Sequence, residues 1–367
     1  MILKHLTLLN YRNIGAAELE FSPKFNCLVG NNGEGKTNVL DAIHFLSFAR
    51  GAAGGTDSLN VRHGESMMMV QGVYDLNGTE EEVCCAMRLG QKKHLKRNKK
   101  EYRRLSEHIG LLPLILVSPA DGELIVGGSE ERRRFMDVVI SQYDGGYIPA
   151  LSAYNKALAE RNAMLRGEDE PEAEVIGIYE ELMALHGEAV YGKRKRFIED
   201  FVPVFQRFHD AISGGQEVVG VGYESHGSRG SLLETIRQGR QKDRIMGYSL
   251  HGIHRDELEM TLGGYPLKRE GSQGQSKTFL IALKLAQFDF LRRTGSRTAP
   301  IILLDDIFDK LDALRVQNII GLMGQPSFGQ IFITDTNREN LDRMLEGTDG
   351  EYKIFHVSQG CVTEAQT

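Results

Sequence analysis

The amino-acid sequence predicts an α/β fold, in which a parallel or mixed sheet is flanked by helices and a compact helical lobe is inserted into the chain. Short apolar runs between turn residues occupy the first and last parts of the 367 residues. Charged sequence with helical periodicity separates them. We therefore expect one domain from residues 1–128 and 246–367, and a helical insertion over residues 129–245.

The strand predictions come from apolar runs that end at turn residues. In the first part these runs are residues 19–21, 25–29, 67–74 and 111–117, and in the last part they are 301–304, 331–334 and 352–357. An amphipathic helix is predicted over residues 276–292. Strands that alternate with helices favour a parallel sheet with both faces covered.

The insertion is predicted to be helical because its apolar residues recur at spacings of three and four. Ile178, Leu182, Leu185 and Ala189 fall on one face of such a helix. The change of texture at about residue 130, and the return of strand patterns after about residue 246, set the expected limits of this lobe.

Composition is that of an ordinary globular protein, with 41% apolar and 26% charged residues. No apolar stretch approaches the roughly 20 residues that a membrane-spanning helix needs, and the N-terminus lacks the pattern of a secretory leader. We expect a cytoplasmic protein without a membrane partner. The four cysteines show no CxxC spacing, so neither a disulfide framework nor a zinc site is predicted.

The formal net charge of -6 argues against a uniformly basic nucleic-acid binder. Residues 92–104 are the exception, since they hold eight Lys or Arg against one Glu. This basic run could follow DNA phosphates, or it could form a solvated hairpin, as most charge runs do.

A phosphate-binding loop is predicted where residues 30–37 read Gly-Asn-Asn-Gly-Glu-Gly-Lys-Thr, a full match to G-x-x-x-x-G-K-[ST] between a strand and a helix. Glycines let backbone N–H groups turn towards phosphate oxygens. Lys36 should reach the β and γ phosphates, and the Thr37 hydroxyl should hold Mg²⁺. The expected ATP contacts here are Gly30, Asn31, Asn32, Gly33, Glu34, Gly35, Lys36, Thr37 and Asn38.

Paired carboxylates follow the apolar run at 301–304. Asp305 is expected to bind Mg²⁺, as the acid at the end of a partner strand does in P-loop proteins. Asp306 is expected to be catalytic with Lys36, because a carboxylate there could orient the attacking water. The alternative, without a chemical role, is a strand that ends in a solvated acidic turn.

Residues 271–275, Gly-Ser-Gln-Gly-Gln, precede the predicted helix at 276–292. A turn of this type can offer a hydroxyl and N–H groups to an anion. Two phosphate sites for one nucleotide suggest a two-fold dimer, in which ATP lies between the loop of one chain and the turn of the other. The alternative is that this turn only caps a helix.

Together these segments make the sequence similar to the ABC-type ATPases of the SMC group, and most closely to the branch of bacterial recombination mediators. The resemblance covers essentially the whole chain. Its further motifs are Asn10-Tyr-Arg-Asn13, Ser118-Pro-Ala-Asp121, Arg132-Arg-Arg-Phe-Met-Asp137 and His254-Arg-Asp256. The spacing from Lys36 to Asp305 fits a compact helical arm rather than a long coiled coil.

The resemblance implies an ABC-type ATPase head whose ATP-dependent homodimer binds double-stranded or gapped DNA and hydrolyses ATP slowly. It implies cooperation with RecR in loading RecA during gap repair and replication restart after DNA damage. It also implies that Arg12 and Asn13 contact the nucleotide, and that Ser272, Gly274 and Gln275 reach it across the dimer.

Three departures from the family pattern concern the ATP site. The usual catalytic glutamate is Asp306, which is one methylene shorter and fits slow hydrolysis. The histidine expected after the strand at 331–334 is absent, and no glutamine of the Q-loop is evident near Pro119.

The alternative function is an ABC-type ATPase that acts on protein or membrane partners without binding DNA.

Overall fold

The structure is a computed structural model that describes residues 1–52, 54–295, 298–308, 311–336 and 351–365. The strands are β1 (Ile2–Tyr11), β2 (Ile14–Glu20), β3 (Phe25–Val29), β4 (Met67–Leu76), β5 (Thr79–Arg88), β6 (His94–Arg97), β7 (Lys100–Glu101), β8 (Leu114–Val117), β9 (Val219–Glu224), β10 (Glu257–Leu262), β11 (Tyr265–Pro266), β12 (Ile301–Asp305), β13 (Ile331–Asp335), β14 (Tyr352–Ser358) and β15 (Cys361–Glu364).

The helices are α1 (Lys36–Phe48), α2 (Glu123–Val126), α3 (Ser129–Tyr143), α4 (Tyr147–Arg166), α5 (Ala173–Ser213), α6 (Leu232–Met246), α7 (Leu267–Glu270), α8 (Gln273–Thr294) and α9 (Ala313–Gly324). Over the ranges described above, no helix combines the length and the apolar character that a membrane crossing requires.

The chain divides into two compact units. Unit 1 comprises Met1–Asp121 and Lys277–Thr367, and unit 2 comprises Gly122–Ser276. Residues 122–128, which we expected in the first domain, group with the insertion in this division, and so do residues 246–276. For residues 246–276 the reason is that β10 pairs with β9 along its whole length, from Glu257 opposite Glu224 to Leu262 opposite Val219.

Unit 1 contains two sheets. One is antiparallel, in the order β2-β1-β4-β5-β6-β7, and the other has the order β15-β14-β3-β13-β12-β8. In the second sheet β14, β3, β13, β12 and β8 are parallel and β15 is antiparallel, so that sheet is mixed. Every residue of β3, β12 and β13 is buried, as expected for parallel strands covered on both faces.

A shared core holds helix α1 between these sheets. Val39, Ile43, Phe45 and Leu46 of α1 are fully buried in a cluster that also contains apolar residues of β1, β4, β12 and β13. The helix therefore fixes the position of the loop that precedes it.

Unit 2 is built on the antiparallel pair α4 and α5 and also contains a small sheet, in the order β11-β10-β9. Its interior holds charged side chains with partners. The Arg161 guanidinium, fully buried, contacts Glu180 at 3.1 Å and Asp243 at 2.7 Å. A buried charge requires such partners, since leaving one alone would be costly.

Candidate nucleotide-binding site

The loop at residues 30–35 leaves the carboxyl end of β3 and enters α1, as its sequence pattern predicts. Gly33 and Gly35 have φ values of 84° and 118°, which non-glycine residues rarely adopt. A Cβ at Gly30 would overlap the carbonyl oxygen of Val357 in β14. Glycine is thus required here for backbone shape and for close packing.

Hydrogen bonds from other segments of the chain hold the loop in place. The Asn13 amide donates to the carbonyl of Glu34 at 3.0 Å and accepts from the Asn38 amide at 2.7 Å. The N–H of Gly360 donates to the same Glu34 carbonyl at 2.9 Å, and the N–H of Gln359 donates to the Glu34 carboxylate. Asn13, Glu34 and Asn38 are therefore placed to fix the loop conformation.

Lys36 is buried, and its ammonium lies within the loop. It donates to the carbonyl of Gly30 at 2.6 Å and to that of Asn31 at 2.9 Å. Burial lowers the pKa of Lys36, and nearby carboxylates, Asp306 and Asp305 foremost, oppose that shift. The ammonium is the cation around which the loop carbonyls gather.

The two predicted metal ligands meet. The Thr37 hydroxyl lies 3.0 Å from both carboxylate oxygens of Asp305, and the Thr334 hydroxyl donates to one of them at 2.7 Å. The N–H of Asp306 in turn donates to the Thr334 hydroxyl at 3.1 Å. Hydroxyl and carboxylate oxygens are the hard ligands that Mg²⁺ prefers, so these residues fit that ion.

A cavity of about 210 Å³ opens beside these groups. It is lined by Asn32, Gly33, Gly35, Lys36, Thr37, Asn38, Pro119, Asp305, Asp306 and Thr334. Asp306 is exposed and has a φ of 50°, whereas Asp305 is buried. The Asp305 carboxylate is therefore fixed by hydrogen bonds, and the Asp306 side chain is accessible to solvent.

Arg12 lies outside this lining. Its guanidinium is 2.8 Å from the Asp41 carboxylate, which also accepts from the Tyr11 hydroxyl at 2.5 Å and from the N–H of Ala52 at 2.6 Å. Asp41 therefore orients Arg12 next to the start of the loop that follows α1. A role of Arg12 at the nucleotide stays a prediction.

The turn at residues 271–275 forms a capping box. The Ser272 hydroxyl accepts from the N–H of Gln275 at 3.2 Å, and the Gln275 side chain accepts from the N–H of Ser272 at 2.9 Å. Reciprocal bonds of this kind stabilise a helix N-terminus, here that of α8. Ser272 is exposed, so the cap leaves its hydroxyl open to solvent.

The basic run forms the hairpin of β6 and β7, and two of its cations have structural partners. Lys93 contacts Asp57 at 2.8 Å, and Arg97 contacts the buried Glu81 at 2.6 Å. The remaining basic side chains are exposed, and they are Lys92, Lys96, Lys99, Lys100, Arg103 and Arg104. We call these six residues the basic hairpin cluster.

Thr334 and Pro119 line the cavity without having been assigned a role from the sequence. Thr334 lies at the end of the strand after which the family pattern has a histidine, and its hydroxyl bonds both to the Asp305 carboxylate and to the N–H of Asp306. The sequence signal for Thr334 was its place at the end of an apolar run, like that of Asp305. The pairing of β12 with β13, which sets Asp305 opposite Thr334, is needed to bring the two residues together.

The chain matches a protein-family model and many named relatives. The family model described as RecF/RecN/SMC N terminal domain matches residues 2–363. A DNA replication and repair protein RecF of Phocaeicola vulgatus is 58% identical over 365 residues, covering 99% of this chain and 98% of that protein. The RecF of Porphyromonas gingivalis (strain W83) is 51% identical over 362 residues, covering 98% and 99%.

Solved structures give the same assignment. A recombination mediator protein RecF in the RecFOR pathway, solved with ATPrS, has a TM-score of 0.88 and 27% identity, over 99% of this chain and 98% of that one. A second RecF structure, with ATP, has the same TM-score and identity. An Smc head bound to a domain of ScpA, at 18% identity and a TM-score of 0.60, shares the fold.

These likenesses confirm the ABC-type head with a second lobe, and they confirm the resemblance drawn from the motifs. The chain belongs to the RecF/RecN/SMC N-terminal domain family and, within it, to the RecF group of DNA replication and repair proteins.

Proposed function

We propose that this chain binds ATP with Mg²⁺ in the cavity beside the loop at residues 30–37, and that ATP drives its dimerisation on double-stranded or gapped DNA. One observation carries the proposal: the Thr37 hydroxyl and the Asp305 carboxylate lie 3.0 Å apart at the mouth that Lys36 also lines. Residues far apart in the sequence therefore meet at this cavity, and their side chains are of the types that bind Mg²⁺ and nucleotide phosphates.

Each residue has a distinct proposed role. The Lys36 ammonium would exchange its bonds to loop carbonyls for the β and γ phosphates, and Thr37 and Asp305 would hold Mg²⁺. When bound, Mg²⁺ would neutralise charge on the phosphates. The exposed Asp306 carboxylate would orient the attacking water, and its short side chain supports slow hydrolysis.

The second half of the site would come from a partner chain. Ser272, Gly274 and Gln275 stand at the N-terminus of α8, where N–H groups favour an anion. The exposed Ser272 hydroxyl is available for a γ-phosphate of the facing chain. Hydrolysis would remove that bridge and return the dimer to monomers, which makes the nucleotide a switch.

DNA binding is proposed for the basic hairpin cluster. Its six cations are exposed, and phosphate contacts need accessible Lys and Arg rather than a basic protein overall. The relatives are named DNA replication and repair proteins, which supports this assignment. Cooperation with RecR, and through it with RecA, is proposed on the family resemblance, and the RecFOR pathway of the solved relative supports it.

Light scattering tests the switch directly. The protein is measured with Mg²⁺ and no nucleotide, ADP or ATP, each with and without a short gapped duplex. We expect the mass to double only with ATP, and the dimer to retain DNA. Doubling without DNA retention would favour the alternative, an ABC-type ATPase acting on protein or membrane partners. ATP binding with unchanged mass would refute the dimer.

Three variants separate the roles. Lys36→Ala should abolish ATP binding, Asp306→Asn should trap the ATP-bound dimer, and Ser272→Arg should bind ATP but stay monomeric. The matched control for the last is Ser152→Arg, since Ser152 is also exposed, on α4. Dimerisation of the Ser272→Arg protein to the same extent as the control would contradict the composite site.

The DNA surface is tested by salt dependence. Changing Lys96, Lys99 and Lys100 together to Gln should reduce the slope of log K against log salt concentration by about 2 to 3, because each lost phosphate contact removes about 0.9.

The control changes the exposed Lys156, Lys195 and Lys242 of unit 2 to Gln, which alters the net charge equally. An equal change of slope in both triple variants would show that net charge, rather than the basic hairpin cluster, sets the affinity.

A further inference from the structure

Helix α5 carries an apolar stripe on its exposed face. Its other face is buried through residues such as Ile176, Met183 and Val190, and it packs on α4 and α6. The stripe consists of Val175, Ile178, Leu182, Leu185 and Ala189, and we call it the α5 seam. These include the positions that the sequence pattern placed on one helical face, and that face points to solvent.

The exposure of the seam is substantial. The exposed fractions are 37% for Val175, 56% for Ile178, 38% for Leu182 and 65% for Leu185. All of unit 2 lies within the described residues, so these values include every neighbour the unit can offer. A helix that already buries one face has no structural need for a second apolar one.

The spacing of the seam is that of a coiled coil. Intervals of three, four, three and four residues place its members at successive a and d positions of a heptad. At a rise of 1.5 Å per residue the seam is roughly 21 Å long. A strict a and d stripe is narrower than a core-facing surface and fits one partner helix.

The charges beside the seam indicate the partner. The g positions on one flank are Glu174, Glu181 and Glu188, and all three are exposed. The segment leading into the helix adds Glu168, Asp169, Glu170 and Glu172. Of these seven acids, Glu181 has a partner, Arg237, at 2.8 Å, in a pair that is largely exposed. Residues at g positions select partners by charge, so the seam favours a basic helix.

A second copy of this chain fits less well. An antiparallel pair of α5 helices would set glutamates at g against glutamates at g, and like charges there disfavour pairing. A parallel pair would require Lys193 to face Glu188, but Lys193 is engaged with Asp144 at 2.6 Å. The charge pattern therefore points to a different chain.

We propose that the α5 seam docks an amphipathic helix of another protein, one with apolar a and d positions and basic e and g positions. The proposal concerns unit 2 alone and is independent of the nucleotide site. Docking would bury the seam and set the basic flank against the acids.

The test uses a synthetic helical peptide with Leu at a and d and Lys at e and g, labelled and titrated with the full chain by fluorescence anisotropy. We expect binding that weakens with salt, and at least about tenfold weaker binding by the Leu182→Gln/Leu185→Gln protein. The matched control, Ile245→Gln/Met246→Gln, changes two exposed apolar residues on α6 and should bind as the parent does.

A companion peptide with Glu at e and g should bind at least about tenfold more weakly than the Lys peptide. Equal binding of both peptides, or of the parent and the Leu182→Gln/Leu185→Gln protein, would overturn the proposal, and so would no binding at all. Nucleotide-free dimerisation in sedimentation, lost in that double variant, would overturn it in favour of a second copy. Thermal melting confirms that the variants fold.

Discussion

Thr334→Val is the sharpest single-atom change that the nucleotide site offers. Thr334 is 1% exposed, and its hydroxyl donates to Asp305 and accepts from the N–H of Asp306. Valine keeps the β-branched shape that suits a buried strand but replaces this hydroxyl with a methyl group. The change therefore removes one hydrogen bond to a carboxylate and leaves one backbone N–H without its acceptor.

The expected loss follows from these two bonds. A hydrogen bond to a charged group contributes about 1.5 to 3 kcal/mol, and a buried N–H left unpaired costs about 1 to 3 kcal/mol. Asp305 keeps the Thr37 hydroxyl as a partner, and the Asp306 N–H is only partly buried, so values near the lower ends apply. We expect the free energy of unfolding of unit 1 to fall by about 3 kcal/mol.

Urea unfolding followed by circular dichroism measures this loss, and hydrogen exchange of the Asp306 amide localises it. The control is Thr363→Val, the same change at an exposed position of β15 in the same sheet. The amide of Asp306 should exchange faster in Thr334→Val and unchanged in the control. A loss within about 0.5 kcal/mol of the control, with unaltered Asp306 exchange, would show that the Thr334 hydroxyl does not stabilise the two acids.

Burial lowers the pKa of His254 from 6.5 to about 4, and its ring accepts from Tyr154 and donates to the Ser249 carbonyl as the neutral form would. The unfolded chain binds the proton more tightly, so the free energy of unfolding should fall as the pH drops from 6.5 towards 4. Between pH 7 and pH 5 the parent should lose about 2 kcal/mol more of this free energy than His254→Gln, as measured in urea titrations. Equal losses would contradict a neutral buried ring. Gly30→Ala should destabilise unit 1 by about 1 to 3 kcal/mol, since the added Cβ meets the backbone of Val357, which cannot yield like a side chain; a variant that melts and binds ATP as the parent does would count against that packing.

Much of unit 1 could be predicted because its signals are local. The apolar run at 25–29 is β3, the run at 301–304 lies in β12, and the predicted helix at 276–292 lies within α8. Both strands are buried at every residue, which leaves a mostly apolar run in the sequence, and residues 278–291 of α8 are buried as well. The loop at residues 30–37 could also be predicted as a turn from strand to helix, since Gly33 and Gly35 take the positive φ values that glycine favours.

The parts that could not be predicted depend on contacts between distant segments. Arg194 is buried and contacts both Asp137 and Asp256, yet nothing near it in sequence distinguishes it from a solvated helical arginine. The pairing of β9 with β10 crosses the whole of α6, so the end of unit 2 was expected some thirty residues too early. Likewise, the exposure of the α5 seam depends on which face of α5 the helix α4 covers. Periodicity shows which residues share a helical face, but it does not show which face is buried.

The position of β3 has a consequence for the newly made protein. Residues 25–29 are hydrogen-bonded between residues 331–335 and 352–356, so both neighbours of the strand before Gly30 are synthesised only after the whole of unit 2. Unit 2 is contiguous and all its strand partners emerge together, which lets it fold on the ribosome first. The apolar strand β3 stays unpaired until β13 and β14 have been made. Its contacts with them have a large sequence separation, and such contacts form slowly. A nascent chain therefore acquires the candidate nucleotide site only after β13 and β14 have been made, and a chain that stops before them would expose β3 as an unpaired, aggregation-prone strand.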